Sequence, residues 1–467
     1  MSRSLNKFEK QFCFMGIKMS FNFVVKGNLT LELINETCKR IYEHQPILQK
    51  KTQFKKKEED LEINWVSRNF EEAFEIEVLE KDVNNHEQVV DETLTRLDKL
   101  QGKKEDCKTY LVWIQDQSEE QLQTIIALVD HLYFDARSCL AFVSEFMKFL
   151  PQEKEEEKEK EKEKEKETKK EIKIKPLEPQ DLDLMDLCNG TTAYEKVCSL
   201  GYKYGVERPW NDLKLDHLPP LNAPPKFETI SDHGYTEKST RPQLHFKLSQ
   251  EETASFIKKC KSEQVTPWCA LTTLLMFSIY KTDHSNVETY KYLPGAFVDL
   301  RARLQTPLSP ELFGSFSWVT ELEEMDLNPK ETKFWQFSKL LKKMIDAQLE
   351  QREVESNVQA FDKHQGFIIG VPNCSSINNY GSYDQLGFCK GNEKFKLIDI
   401  AYVGHEYPML AHLQIVSFSF NNELRFNPLF SRQFFKREKI LNLMSNYFIK
   451  GIKKIVNNEN DIILNQF

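Results

Sequence analysis

The stretch Leu128-Val-Asp-His-Leu-Tyr-Phe-Asp-Ala-Arg-Ser138 sets an imidazole, His131, four residues before a carboxylate, Asp135. A neutral imidazole with a reference pKa of about 6.5 takes a proton from an alcohol or amine at neutral pH, which is general-base chemistry. The bare spacing is a weak signal, because the chain holds 10 histidines and His-x-x-x-Asp arises readily by chance. A histidine that caps a strand and bonds locally fits the same residues. The neighbouring elements bear on the choice. Thr124-Ile-Ile-Ala-Leu-Val129 is short, continuous and rich in β-branched residues, which predicts a buried strand. From Ser138 to Leu150, Leu140, Phe142, Val143, Phe146, Phe149 and Leu150 fall near helical spacing and predict a helix. His131 therefore stands where a core strand ends and a loop turns into a helix. A rigid strand fixes such a position while the loop leaves room for a ligand.

Composition narrows the classes. The 467 residues suffice for two lobes of about 200 residues each, and 40% hydrophobic content with 33 phenylalanines indicates well-buried cores. Net charge is -8 and no basic stripe runs along the chain, so nucleic acid is not an expected partner. The 10 cysteines form no Cys-x-x-Cys and no Cys/His quartet, so no metal site is expected, and reduced thiols point to the cytoplasm. Residues 1–10 lack the apolar core of a secretory signal. The longest apolar run, Val265 to Tyr280, is too short and too interrupted by Thr and Pro for a transmembrane segment.

Residues 1–150 read as a first lobe of mixed α and β. Strands are predicted at 21–27, 74–79 and 109–114, with helices at 31–42 and 89–97. Residues 151–175 are a charged insert whose Lys/Glu tract, Glu153 to Lys175, has no apolar face to bury. Residues 176–243 read as a crossover connection, with Pro219-Pro-Leu-Asn-Ala-Pro-Pro225 an irregular stretch. Residues 244–467 read as a second lobe. There Ser249-Gln-Glu-Glu252 has capping-box spacing, and Pro267 suits the first position of a buried helix over 268–280. Strands are predicted at 244–248, 296–300 and 367–371, and a helix over 332–352. A hairpin is predicted around Asn421-Asn422, and a last helix from near Phe434. The fold class is α/β (mixed α+β) in two lobes.

In this order the elements resemble the chloramphenicol acetyltransferase-like superfamily, which includes condensation domains, plant acyltransferases and alcohol acetyltransferases. The resemblance is carried by His44-Gln-Pro-Ile-Leu48, His131-Leu-Tyr-Phe-Asp135, Val265-Thr-Pro-Trp-Cys-Ala270, Val298-Asp-Leu-Arg301 ahead of Leu312-Phe-Gly314, and Ser375-Ser-Ile-Asn-Asn-Tyr-Gly381. It is closest to the alcohol acetyltransferase branch. Two positions depart from the pattern: Asp130 stands where many relatives have a second histidine, and Ala136 where they have glycine. A left-handed backbone at residue 136 would strain alanine. The Asp-Phe-Gly-Trp-Gly motif of plant members is absent, and Leu397-Ile-Asp-Ile-Ala-Tyr-Val403 does not replace it.

The resemblance implies two lobes meeting across a central tunnel, with His131 as general base at its centre. It implies that Asp135 points away from His131 and pairs with an arginine, for which Arg301 is the candidate. Ser315, Ser317 and Asn378 are candidate oxyanion donors. Phe313, Phe316 and Trp318 could line an acyl tunnel, although aromatic residues at such spacing serve equally as core. The implied reaction moves an acyl group from acyl-CoA, a co-substrate, to a small-molecule alcohol or amine, in a monomer with no bound cofactor. Two other readings stay open: a stand-alone condensation-type enzyme using a carrier-bound acyl group, and a non-catalytic binding relative.

Overall fold

Met19, Phe21, Phe23 and Val25 alternate along strand β1 (Lys18–Lys26), and all four side chains are buried on one face. The computed structural model describes Leu5 and residues 18–57, 60–81, 86–98, 108–116, 121–151, 244–284, 288–292, 294–304, 307–322, 325–355, 375–403, 413–430, 437–458 and 460–467. Helix α1 (Leu31–His44) follows, its first turn closed by the Thr30 hydroxyl, which accepts from the Leu33 amide. Its Ile34, Cys38 and Ile41 join the β1 side chains in one core. Strands β2 (Lys50–Lys57) and β3 (Asp60–Ser67) form a two-stranded sheet of their own. Then come β4 (Phe74–Lys81), α2 (His86–Asp98), β5 (Thr109–Asp116), β6 (Leu122–Asp130) and α3 (Ala136–Phe149). Helix α3 begins two residues before the expected Ser138, because the carboxylate of Asp135 caps it.

The second half supplies β7 (Phe246–Lys247), α4 (Gln250–Ser262), α5 (Pro267–Ile279), β8 (Tyr290–Tyr292), β9 (Gly295–Asp299), β10 (Ser317–Glu321) and β11 (Met325–Leu327). These are followed by α6 (Phe334–Glu350), β12 (Ser375–Ser382), β13 (Lys396–Val403), β14 (Leu413–Phe420), β15 (Glu423–Phe430), α7 (Arg437–Asn442) and α8 (Lys450–Asn457). The Ser249–Glu252 capping box forms with both of its hydrogen bonds, and Thr266 caps α5 with Pro267 in the first turn. Asn421 and Asn422 both take positive φ, the backbone that a two-residue hairpin turn requires, and they join β14 to β15.

Two main sheets result. The first has the order β13-β1-β6-β5-β4, and the second β10-β9-β12-β14-β15-β7. Helices α1 and α3 cover one face of the first sheet, and α5 and α6 pack into the core of the second. One strand departs from the expected division at residue 244. Strand β13 crosses back to pair antiparallel with β1, setting Ile400 opposite Phe23 and Tyr402 opposite Phe21. The physical reason is that β1 would otherwise be a bare sheet edge, and Ile400 and Tyr402 extend its apolar face.

The expected strand at 367–371, the tract Glu153 to Lys175, the crossover 176–243 and Phe434 lie outside the described residues. Among the described residues no helix is long and apolar enough to cross a membrane, and no group of His, Cys, Asp or Glu could hold a metal ion.

Candidate active site

Strand β6 is buried from Gln123 through Asp130, paired with β5 as far as Leu128 and with β1 as far as Asp130, so β1 fixes the point where it stops. Asp130 makes the stop. Its side-chain Oδ1 accepts from the Leu132 amide at 2.9 Å, and its carbonyl accepts from the Tyr133 and Phe134 amides at 3.0 and 3.1 Å. His131 rides on that turn, partly buried, with its Nδ1 sealed from solvent. Burial pushes the His131 imidazole below its usual pKa. Backbone hydrogen bonding at His131 and Phe134 and the carboxylates of Asp135 and Asp130 only partly oppose it. The ring is therefore neutral at pH 7 and able to accept a proton.

Asp130 is answered from β1. Lys18 lies opposite it in the strand register, with the ammonium 3.6 Å from Oδ2 and both residues buried. Burial still raises the Asp130 carboxyl above its usual range, against the pull of the Lys18 charge. Alanine at 136 is unstrained: it is the first residue of α3, and it is not among the positive-φ residues.

Asp135 sits in a polar knot between the lobes. Its Oδ1 caps α3 by accepting from the Ser138 amide at 2.8 Å. Arg301, just past the end of β9, meets it with two parallel bonds, Nη1 to Oδ2 at 2.8 Å and Nη2 to Oδ1 at 2.9 Å. The same guanidinium bonds the Leu312 carbonyl, the Ser138 hydroxyl and the Asp299 carboxylate, and the Phe316 ring lies 4.8 Å from it. Burial alone would raise the Asp135 carboxyl. The charge and hydrogen bonds of Arg301, with the Ser138 and Phe316 amides, outweigh that and hold it below the usual carboxylate range.

The knot fastens the 312–316 loop to the turn that carries His131. The Gly314 carbonyl accepts from the Asp135 amide at 3.1 Å, the Gly314 amide donates to the Ser138 hydroxyl, and the Phe316 amide donates to Asp135 Oδ2 at 3.0 Å. Gly314 has φ +153°, and an added Cβ would stand 2.4 Å from the Phe316 ring, so only glycine fits this close approach. Between Gly314 and Phe316 lies Ser315, whose buried hydroxyl has no hydrogen-bond partner among the described residues.

The remaining candidates are spread more widely. Ser317 begins β10, opposite Asp299 in register. Asn378 lies on β12 and donates to the Tyr380 hydroxyl at 3.1 Å. Phe313 packs in the first core against Phe134, with ring centroids 5.0 Å apart, and Trp318 is buried on β10. The structure thus brings Asp135, Arg301, Phe316 and the backbone beside Ser315 together, and places Ser317 at the foot of the neighbouring strand. Sequence reasoning missed Ser138 and Lys18. An Asp-x-x-Ser spacing at a helix start was a readable signal for Ser138. Lys18 lies far from Asp130 in the chain and had none.

No family model matches the chain, and no curated protein sequence matches it. Solved structures do match. The first condensation domain of the CDA synthetase superposes with a TM-score of 0.66 at 10% identity, covering 100% of this chain and 98% of that one. The trichothecene 15-O-acetyltransferase of Fusarium sporotrichioides gives 0.65 at 12% identity, over 100% of this chain and 95% of that one. Polyketide synthase associated protein 5 from Mycobacterium tuberculosis gives 0.63 at 12%, over 97% and 98%.

Proposed function

We propose, for a chain that has the two-lobed fold of condensation domains and acetyltransferases, that it is an acyltransferase with His131 as general base. Acyl-CoA is the donor in this reading and a small alcohol or amine the acceptor. The observation that carries it is a partly buried, neutral imidazole on a turn that the Asp135–Arg301 fork ties to the opposite lobe.

The acceptor hydroxyl or amine hands its proton to the imidazole as its oxygen or nitrogen attacks the thioester carbon. The tetrahedral oxyanion needs a donor, and Ser315 is the best placed of the three candidates. Its hydroxyl is uncommitted among the described residues, and the loop on either side of it is bonded to the His131 turn. Collapse breaks the carbon–sulfur bond, and the imidazolium returns its proton to the thiolate. Nothing in this route forms a covalent acyl-enzyme, so both substrates are held together between the lobes.

A second reading has one observation in its favour, the likeness to a condensation domain: amide formation with a carrier-bound acyl group. Release of free thiol from a panel of acyl-CoAs, with alcohols and amines as acceptors, tests the first reading. Turnover with an acylated carrier protein and none with CoA thioesters would replace it by the second. Turnover with neither would leave a non-catalytic relative.

A further inference from the structure

Glu145 is an acid in the middle of the apolar face of α3, flanked by Phe142, Phe146 and Phe149, and it is 0% exposed. A carboxylate in such a place is costly unless bonded, so its partners carry information. Its Oε1 lies 2.6 Å from His44 Nδ1 and 2.7 Å from the Gln45 side-chain nitrogen. Both partners come from the end of α1, where Pro46 stops the helix and turns Gln45 inward. Gln45 then reaches the second lobe. Its amide nitrogen also donates to the Glu311 carbonyl at 2.9 Å, and its oxygen accepts from the Phe313 amide at 3.0 Å.

The 311–316 loop is therefore held at two places by elements of the first lobe, besides the bonds of Arg301 to the Leu312 and Gly314 carbonyls. Gln45 bonds residues 311 and 313, while the Asp135 turn with Ser138 bonds residues 314 and 316. Ser315, the candidate oxyanion donor, lies between residues 314 and 316 of the second anchor, two residues past the Phe313 amide that Gln45 holds. A glutamine uses both ends here, so its amide cannot be flipped without losing every bond it makes. The Glu311 carbonyl and the Phe313 amide fix which way it faces, and Glu145 accepts from the same end as the Glu311 carbonyl.

We propose that Gln45, seated on Glu145, is a positioning residue that sets the 313–316 loop, and with it the Ser315 hydroxyl, relative to His131. The inference rests on the acyltransferase reading for its catalytic consequence, and on geometry alone for the anchoring. Gln45 touches no reacting atom in this account and acts through the loop.

Backbone amide exchange tests the anchoring without any substrate. In Gln45→Ala the Phe313 and Gly314 amides should exchange about tenfold faster or more, with strand β15 unchanged. Glu145→Gln keeps an acceptor oxygen for Gln45 and should leave those amides protected. Gln45→Met, which fills the space without hydrogen bonds, stands in should the alanine variant fail to fold. Unchanged exchange at Phe313 in a folded Gln45 variant would overturn the inference.

Rates test the consequence. In a wild type that releases thiol, Gln45→Ala should lower kcat roughly tenfold or more while KM for acyl-CoA stays within about twofold. Adding Ser315→Ala to Gln45→Ala should cost little more, because the donor is already displaced. A loosened loop with undiminished kcat would also overturn the inference. A wild type that transfers no acyl group would refute the function reading instead, and the exchange result would still decide the anchoring.

Discussion

Arg301→Ala removes the cation from a pair in which both partners are almost wholly buried, Arg301 at 2% and Asp135 at 1% exposure. No solvent screening discounts the interaction, so a broken buried pair, about 3–5 kcal/mol, is the relevant scale. The orphaned Asp135 keeps the Ser138 and Phe316 amides and the Ser138 hydroxyl, which places the loss toward the lower end of that range. At about 2–4 °C per kcal/mol for a lobe of about 200 residues, melting should fall by roughly 6–20 °C. Asp135→Ala should cost as much or more, since it also uncaps α3 and leaves a buried guanidinium without its main partner. The double variant should be less damaged than the two losses added, by about 0.5–3 kcal/mol. The pH dependence follows from the depressed carboxyl of Asp135. A group whose folded pKa lies below its unfolded value of about 3.9 contributes fully above that pH and loses the contribution as pH falls through the folded value. Wild type should lose this increment below about pH 4, and Asp135→Asn should have none to lose. Thermal melts by circular dichroism over pH 2–8 (a range of roughly six units, chosen to span both states) supply the measurement. Strict additivity, or an Arg301→Ala protein that melts within about 1 °C of wild type, would refute the account of the knot.

Other outcomes follow from single features. His131→Ala should melt close to wild type and lose acyl transfer by about 100-fold or more; near-normal thiol release from the folded variant would remove the general base. Because burial lowers the His131 imidazole, kcat/KM should rise with pH through an inflection below about 6.5, and an inflection above that value would contradict the environment. Gly314→Ala forces a Cβ onto the Phe316 ring in a backbone suited to glycine, so stability should drop by about 1–3 kcal/mol and the rate with it. Asp461 accepts from the Trp335 and Gln336 amides at the start of α6; Asp461→Ala should cost about 1 kcal/mol in melts while sparing the rate.

How legible these features were depended on how locally each is encoded. The end of β6 could be read because Ile125 to Val129 is a continuous apolar run and Asp130 interrupts it. The capping box at Ser249 and the asparagine pair at 421–422 are short-range signals, and both stand where expected. The partnership of Asp135 and Arg301 spans 166 residues, and only the resemblance to a known family suggested it. Strands β2 and β3 escaped notice because lysines fill the positions where alternation would have shown, as in Lys50-Lys-Thr-Gln-Phe-Lys-Lys-Lys57. A buried lysine at position 18 and a buried glutamate at 145 contradict the ordinary rule for charged residues. Their reasons, Asp130 in one case and His44 with Gln45 in the other, lie on other elements.

The crossing of β13 into the first sheet has a consequence for how the protein is made. Strand β1 leaves the ribosome long before the partner for its open edge, which begins only at Lys396. After residue 151 roughly 250 more residues must be added, which at about 5–20 residues per second is on the order of 10–50 s. Through that interval the nascent first sheet shows a bare edge, with Phe21 and Phe23 lacking the Tyr402 and Ile400 rows beside them. A fragment cut at residue 151 keeps that edge for good. Such a fragment should aggregate when expressed alone, and adding back a chain that contains β13 should rescue it.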